Sequence, residues 1–207
     1  MAKDTEQLIL EAARQQFVQN GFAATRMQEI ADEAGINKAM LHYYFRTKEK
    51  LYQEIIGQIL NTVIPQFAKA MEYQGTVMEK IEEVVHTYIS VLTEYPDIPF
   101  FIMSELSQKR ESFIVELKKR AQFSPVILAF MSQMQQEMNE GKIRKIPPVH
   151  LLLNILAMCA FPFMAKPIFC NIMNIPENNF DQLMQQRKEV IVDFVRNALE
   201  VNESNQE

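Results

Sequence analysis

The 207-residue chain has no tryptophan, two cysteines, five glycines and three histidines, and each scarcity excludes something. Cys159 and Cys170 form no Cys-x-x-Cys pair and lie in apolar sequence, so no disulfide framework is expected and a reducing cytoplasm is the expected setting. The glycines, at 21, 35, 57, 75 and 141, are too dispersed for a phosphate-cradling loop. His42, His86 and His150 are isolated, none four residues from another histidine or a cysteine, so neither a metal nor a cofactor is expected. A nucleophile pair of His150 with Cys159 is a far weaker reading than a buried structural thiol, and the chain is expected not to be an enzyme. Long apolar runs are missing too. The best, Leu151 to Ala165, is interrupted by Asn154 and Pro162 and ends at Lys166, short of the roughly 18 to 20 residues of a membrane span. It reads as a buried helix, and no signal-peptide pattern opens the chain.

Alternating β-branched stretches are likewise absent, and nearly every segment has helical spacing, which predicts an all-α fold of about nine helices. Ile9, Ala13 and Phe17 line one face of a first helix that stops at Asn20-Gly21. Thr47 caps a long helix from Lys48 to about Met71, with Leu51, Ile55, Ile59 and Val63 at intervals of four. Further helices are expected from Gly75 to Tyr95, from Phe100 to Leu106, from Arg110 to Glu140, from Pro147-Pro148 to Phe161, and from Phe180 to Glu200. Pro162 and Pro167 are read as breaks. The expected organisation is a short helical head over 1–47, a helical body over 48–202 and a polar tail over 203–207.

The net charge of -5 looks wrong for a nucleic-acid binder until it is divided. Residues 1–50 hold seven Lys/Arg and seven Asp/Glu, so the whole deficit lies in residues 51–207. Within 36–50, Lys38, Arg46, Lys48 and Lys50 stand against Glu49 alone. Such a local cationic patch meets phosphates, while an acidic body discourages indiscriminate coating of DNA.

That patch closes the most informative stretch, residues 21–51, which reads as two short helices joined by a tight turn. Thr25 with Gln28 forms a Thr-x-x-Gln capping box, with Met27, Ile30, Ala31 and Ala34 as the apolar stripe behind it. Gly35 turns the chain, and Asn37 caps a second helix. Leu41 and Phe45, four apart, face inward, leaving Lys38, Ala39, His42 and Tyr43 outward.

In register, Gly21-Phe22, Thr25, Ile30-Ala31, Ala34-Gly35-Ile36, Asn37-Lys38, Leu41-His42-Tyr43-Tyr44-Phe45 and Lys48-Glu49-Lys50-Leu51 resemble the helix-turn-helix of the TetR family of bacterial transcriptional regulators. The departures are His42 where the family usually has Tyr and Tyr44 where it often has His; both keep a ring with a hydrogen-bonding tip. The resemblance implies that Lys38, Ala39, Met40 and Tyr43 meet base edges, that Gln28 can also reach a base, and that Thr25, His42, Tyr44 and Lys48 hold the phosphate backbone, with Asn37 in the same DNA-facing set. The chemistry suits the division: Lys and Gln hydrogen-bond in the major groove, Met and Ala pack on a thymine methyl, and hydroxyl and ammonium groups grip phosphate. Tyr44 is open to a second reading as a core ring. Lys48 is unfavourable at its own helix N-terminus, a cost that a phosphate offsets.

The resemblance also implies a homodimer on a palindromic double-stranded operator and a small apolar or amphipathic effector held in the body, whose occupancy releases a repressor from DNA. The 13 methionines and 14 phenylalanines are compatible with an adaptable pocket, for which Phe67, Met71, Phe100, Met103, Met131, Met134 and Met158 are candidates. The helices at about 147–161 and 180–200 are apolar around more of their circumference than a surface helix needs, which suits a dimer interface. Two alternatives stay open: a DNA-binding protein of the same fold that acts through a protein partner without a small-molecule effector, and a small-molecule binding protein or enzyme that keeps the head as a scaffold.

Overall fold

The structure, a computed structural model, describes residues 2–108, 110–119 and 123–201. Among the described residues it is all-α, with eleven helices and no strand. The chain divides into two compact units, Met1–Thr62 and Val63–Glu207.

The first unit holds α1 (Ala2–Ala24), α2 (Met27–Glu33), α3 (Lys38–Tyr44) and the first part of α4 (Lys48–Met71). Gly21, at φ 74 and ψ 163, breaks α1, so residues 22–24 form a separate last turn at the expected stop. Ile9, Ala13, Phe17, Ile30, Leu41 and Leu51 are fully buried. Phe17 packs edge-on to Tyr52, ring centres 5.2 Å apart, and lies 5.7 Å from Phe22. Burial of such large side chains, at about 1.5–3 kcal/mol each, gives so small a unit its stability. Thr47 caps α4 as expected, its hydroxyl accepting from the Lys50 amide at 3.2 Å.

The second unit contains α5 (Val77–Glu94), α6 (Ile98–Gln108), α7 (Arg110–Lys119), α8 (Phe123–Asn139), α9 (Pro148–Met164), α10 (Lys166–Ile172) and α11 (Glu177–Leu199). Its centre is α5, which packs on α11, α9 and α8 and buries Val77, Ile81, Val84, Val85, Ile89 and Leu92. The Thr76 amide donates to Glu79 Oε2 at 2.7 Å, closing a capping box that holds the Glu79 carboxyl below its usual range. From α8, buried Glu137 accepts from the Val77 amide at 3.0 and 3.2 Å and from Gln133 Nε2 at 2.9 Å, placing a carboxylate at the positive end of α5.

Of the helix expected over 110–140, residues 110–119 and 123–139 are helical, and residues 120–122 lie outside the described residues. Two helical expectations are corrected. Pro162 does not end α9, which runs to Met164. Proline cannot donate to the Met158 carbonyl four residues back, and Arg187 of α11 supplies the missing donor, Nε to Met158 O at 3.0 Å. Second, α10 was not foreseen; Pro167 occupies its first turn, and it is bent 60° from α9. No single described helix is long and apolar enough to cross a membrane. The expected tail, 203–207, lies outside the described residues.

Candidate nucleic-acid interface

The turn between α2 and α3 is built from backbone bonds that Gly35 makes possible. Gly35 sits at φ 66; its amide donates to Asp32 O at 3.2 Å, and the Ile36 amide reaches back to Ala31 O at 3.0 Å. This Schellman closure satisfies the last carbonyls of α2. One residue later Asn37 Oδ1 accepts from the Met40 amide at 2.8 Å and starts α3.

With its two ends fixed, α3 turns Leu41 fully inward, and Phe45 just beyond its end is buried too. Lys38, Ala39, Met40, His42 and Tyr43 are exposed, Tyr43 at 83%, the most exposed aromatic ring among the described residues. Tyr44 is half-buried, its ring 5.5 Å from that of Tyr43 and perpendicular to it, so both readings of Tyr44 capture part of its position. His42 Nδ1 donates to Arg46 O at 3.2 Å, which leaves Nε2 of a neutral ring as an acceptor. Exposed Arg46 and Lys50 follow α3 directly.

Thr25, Gln28 and Lys48 of the DNA-facing set have partners within the protein. Thr25 is 1% exposed and does not cap α2: its hydroxyl bonds the Gly21 and Gln16 carbonyls at 2.8 and 3.0 Å. The cap is Arg26, whose amide donates to Glu29 Oε2 at 2.9 Å, so the box is shifted one residue. Exposed Gln28 is bonded through Nε2 to Asp32 at 2.7 Å. Half-buried Lys48 donates to the carbonyls of Phe22 at 2.7 Å, Thr25 at 2.9 Å and Ala23 at 3.2 Å, with its Nζ 4.6 Å from the centre of the Phe22 ring. The cost of a cation at the α4 N-terminus is thus offset by carbonyls at the end of α1, with no phosphate needed. Exposed Arg26, at the start of α2, is a cation that the sequence reading passed over.

In the second unit the seven candidate effector residues are not brought together. Phe67 and Met71 belong to one buried cluster with Ala70 and Val84, against which Val63, Tyr88, Val126 and Ile127 pack. Met134 is fully buried and Met131 and Met158 are half-buried, whereas Phe100 and Met103 are 39% and 50% exposed. Tyr88, 4.8 Å ring to ring from Phe67, brings a hydroxyl to this cluster that a search for Met and Phe could not find. None of the seven lines a cavity of about 280 Å³ whose walls come from α9, α10 and α11, among them Pro162, Phe169, Phe180, Met184 and Arg187.

Burial pushes the Tyr88 hydroxyl up to about 12, with nearby Cys159 adding to the shift, and burial pushes the Cys159 thiol up to about 12 against the opposing pull of Arg187. Both groups keep their protons in the folded body after an unfolded chain has released them, so stability is complete below pH 9 and falls as pH rises toward 12. Denaturant titrations across that window are expected to lose at most about 1.4 kcal/mol per pH unit for each group, with Cys159→Ala flattening the fall.

Comparison with known proteins completes the site. Residues 9–55 match the family described as bacterial regulatory proteins, tetR family, and residues 78–195 match a tetracyclin repressor-like C-terminal domain. The HTH-type transcriptional regulator RutR of Escherichia coli K12 is 30% identical over 149 residues, covering 72% of this chain and 69% of that one. Among solved structures, the ketosteroid transcriptional regulator KstR2 of Mycobacterium tuberculosis superposes with a TM-score of 0.71 at 17% identity, covering 95% of both chains. AibR in complex with isovaleryl coenzyme A and operator DNA superposes at 0.65 with 19% identity, covering 92% of this chain and 97% of that one.

Proposed function

Because this chain belongs to the tetR family and is a DNA-binding transcriptional regulator, we propose that it works as a homodimeric repressor in the bacterial cytoplasm, on a palindromic operator, and that a small apolar or amphipathic molecule releases it. The observation that carries the reading is the outer face of α3, where Lys38, Ala39, Met40 and Tyr43 are exposed beside buried Leu41. These four read base edges. His42 and Tyr44, with Arg46 and Lys50, hold phosphates.

The dimer forms through α9 and α11. Leu153, Leu156 and Phe161 on α9 and Leu183, Val190 and Phe194 on α11 are exposed, apolar side chains that a second copy would cover. Two copies related by a twofold axis place their α3 helices in successive major grooves, roughly 34–36 Å apart.

The effector occupies the second unit and acts by population shift, favouring a body conformation that moves α4 and spoils the spacing of the two heads. An acyl-type molecule is the first class to try, since one fold relative was solved with isovaleryl coenzyme A. Phe67, Met71 and Val84, with Tyr88 beside them, form a packed apolar cluster that has to open to admit such a ligand. The test is fluorescence anisotropy on a selected operator, titrated with fatty acids, their coenzyme A thioesters and sterols. Release by one class at saturable concentration supports the switch, and unchanged operator affinity at saturation with every class removes it.

A further inference from the structure

Lys48 is the first residue of α4, yet its ammonium serves a different helix. It lies where the three carbonyls of Phe22, Ala23 and Thr25 converge, at 2.7, 3.2 and 2.9 Å, under the face of the Phe22 ring. An ammonium has three donors, and here all three are used. The acceptors sit just before Arg26, the N-cap of α2, and Lys48 sits just after the end of α3 at Tyr44. One side chain therefore ties the chain leading into the helix-turn-helix to the chain leading out of it, across sequence separations of 23 to 26 residues.

The neighbouring side chains hold the same junction. Thr25, through its hydroxyl bonds to the Gln16 and Gly21 carbonyls, orders the lead-in from the α1 side. The Phe22 ring packs on Tyr52, one turn along α4 from Lys48, at 4.8 Å between ring centres, and Tyr52 packs in turn on Phe17. The start of α4 and the last turn of α1 are thus joined by a cation and a ring pair, while the buried Thr25 hydroxyl holds the lead-in on α1, all within the first unit.

We infer that Lys48 is a positioning residue for operator recognition: its ammonium clasps the Phe22, Ala23 and Thr25 carbonyls, fixes α2 and α3 against the start of α4, and raises operator affinity without touching phosphate. The inference rests on the DNA-binding reading above and assigns Lys48 a place in it. It also gives α4 its grip on the head, because a displacement of the α4 start pulls directly on the segment that begins α2.

Two physical differences separate a clasp from a phosphate contact. A lysine on phosphate releases a counterion on binding, so its loss lowers the salt dependence by about one unit and weakens all duplexes alike. Arginine, moreover, binds phosphate at least as well as lysine does, whereas its planar fork cannot satisfy three carbonyls converging on one compact ammonium.

The test uses the full chain with Lys48→Met and Lys48→Arg. Operator and unrelated-duplex affinities are measured across a salt series, with concentrations normalised to active sites so that lost fold is not scored as lost affinity. Amide exchange over residues 27–44 is followed without DNA. The expected result for both variants is an operator affinity lower by on the order of tenfold, an unchanged salt slope, little change on unrelated duplex, and faster exchange in α2 and α3. A slope lower by about one with equal loss on both duplexes and rescue by arginine would overturn the inference in favour of a phosphate contact. Unchanged affinity of the folded fraction, with only a lower melting temperature, would overturn it in favour of a purely structural role. If Lys48→Met does not fold, Lys48→Gln, which keeps two donors for the carbonyls, takes its place and is expected to show the same signature in weaker form. Exchange is read on the free protein, so failure of the wild-type chain to bind any duplex, which would sink the DNA-binding reading, is seen separately from failure of the clasp.

Discussion

Phe194→Glu is expected to leave the helix content intact, to turn the protein into a monomer in sedimentation, and to weaken operator binding by on the order of a hundredfold or more. Phe194 is 60% exposed on α11, in a row with Leu183 and Val190. The spacings of seven and four between them are those of a helix–helix seam. Truncating a side chain this exposed costs the monomer little, so the substitution separates assembly from folding. In a twofold interface the new carboxylate occurs twice, close to its own copy, and each buried unpaired charge costs several kcal/mol. The monomer keeps one head, loses the second half-site, and retains only weak, strongly salt-dependent binding. A variant that stays dimeric with full operator affinity would move the interface away from α11.

The second large effect is expected in the head. Phe17→Ala removes a fully buried ring that contacts both Phe22 and Tyr52. Removal of a core phenylalanine costs about 3–5 kcal/mol, comparable to the whole stability of a small unit. The first unit should lose its protection against amide exchange in α2 and α3, while α5 and α11, in the other unit, keep theirs. Both specific and non-specific DNA binding should disappear. Uniform loss of protection through α5 and α11 as well would show that the two units do not unfold separately.

What the sequence disclosed was local. Gly35 and Asn37 announce the turn and the cap of α3, and Leu41 with Phe45 gives its buried face, because each depends on contacts within a few residues. The assignments that changed depend on partners distant in the chain. Thr25 has the right type and spacing for an N-cap, but its hydroxyl is taken by carbonyls of α1, and the cap moves to Arg26. The cost of Lys48 at a helix N-terminus was visible in the sequence; the three carbonyls that offset it were not. Pro162 reads as a break until Arg187, on another helix, takes over the orphaned Met158 carbonyl.

The effector candidates show the opposite limit. Methionine and phenylalanine content can indicate an adaptable interior, but it does not separate core from lining. Phe67 and Met71 pack in one cluster, Phe100 and Met103 face outward, and the hydroxyl of Tyr88 and the guanidinium of Arg187 lie outside any apolar count.

The central claim, that α3 reads sequence within a symmetric dimer, is tested most directly by selecting bound duplexes from a random pool with the full-length protein and repeating the selection with Lys38→Ala. The account predicts an inverted repeat whose half-sites are centred about one helical turn, or a small multiple of it, apart. It also predicts that Lys38→Ala relaxes preference at one position in each half-site while the rest of the motif persists. Enrichment of no motif, or of a motif that Lys38→Ala leaves unchanged at every position, would contradict it.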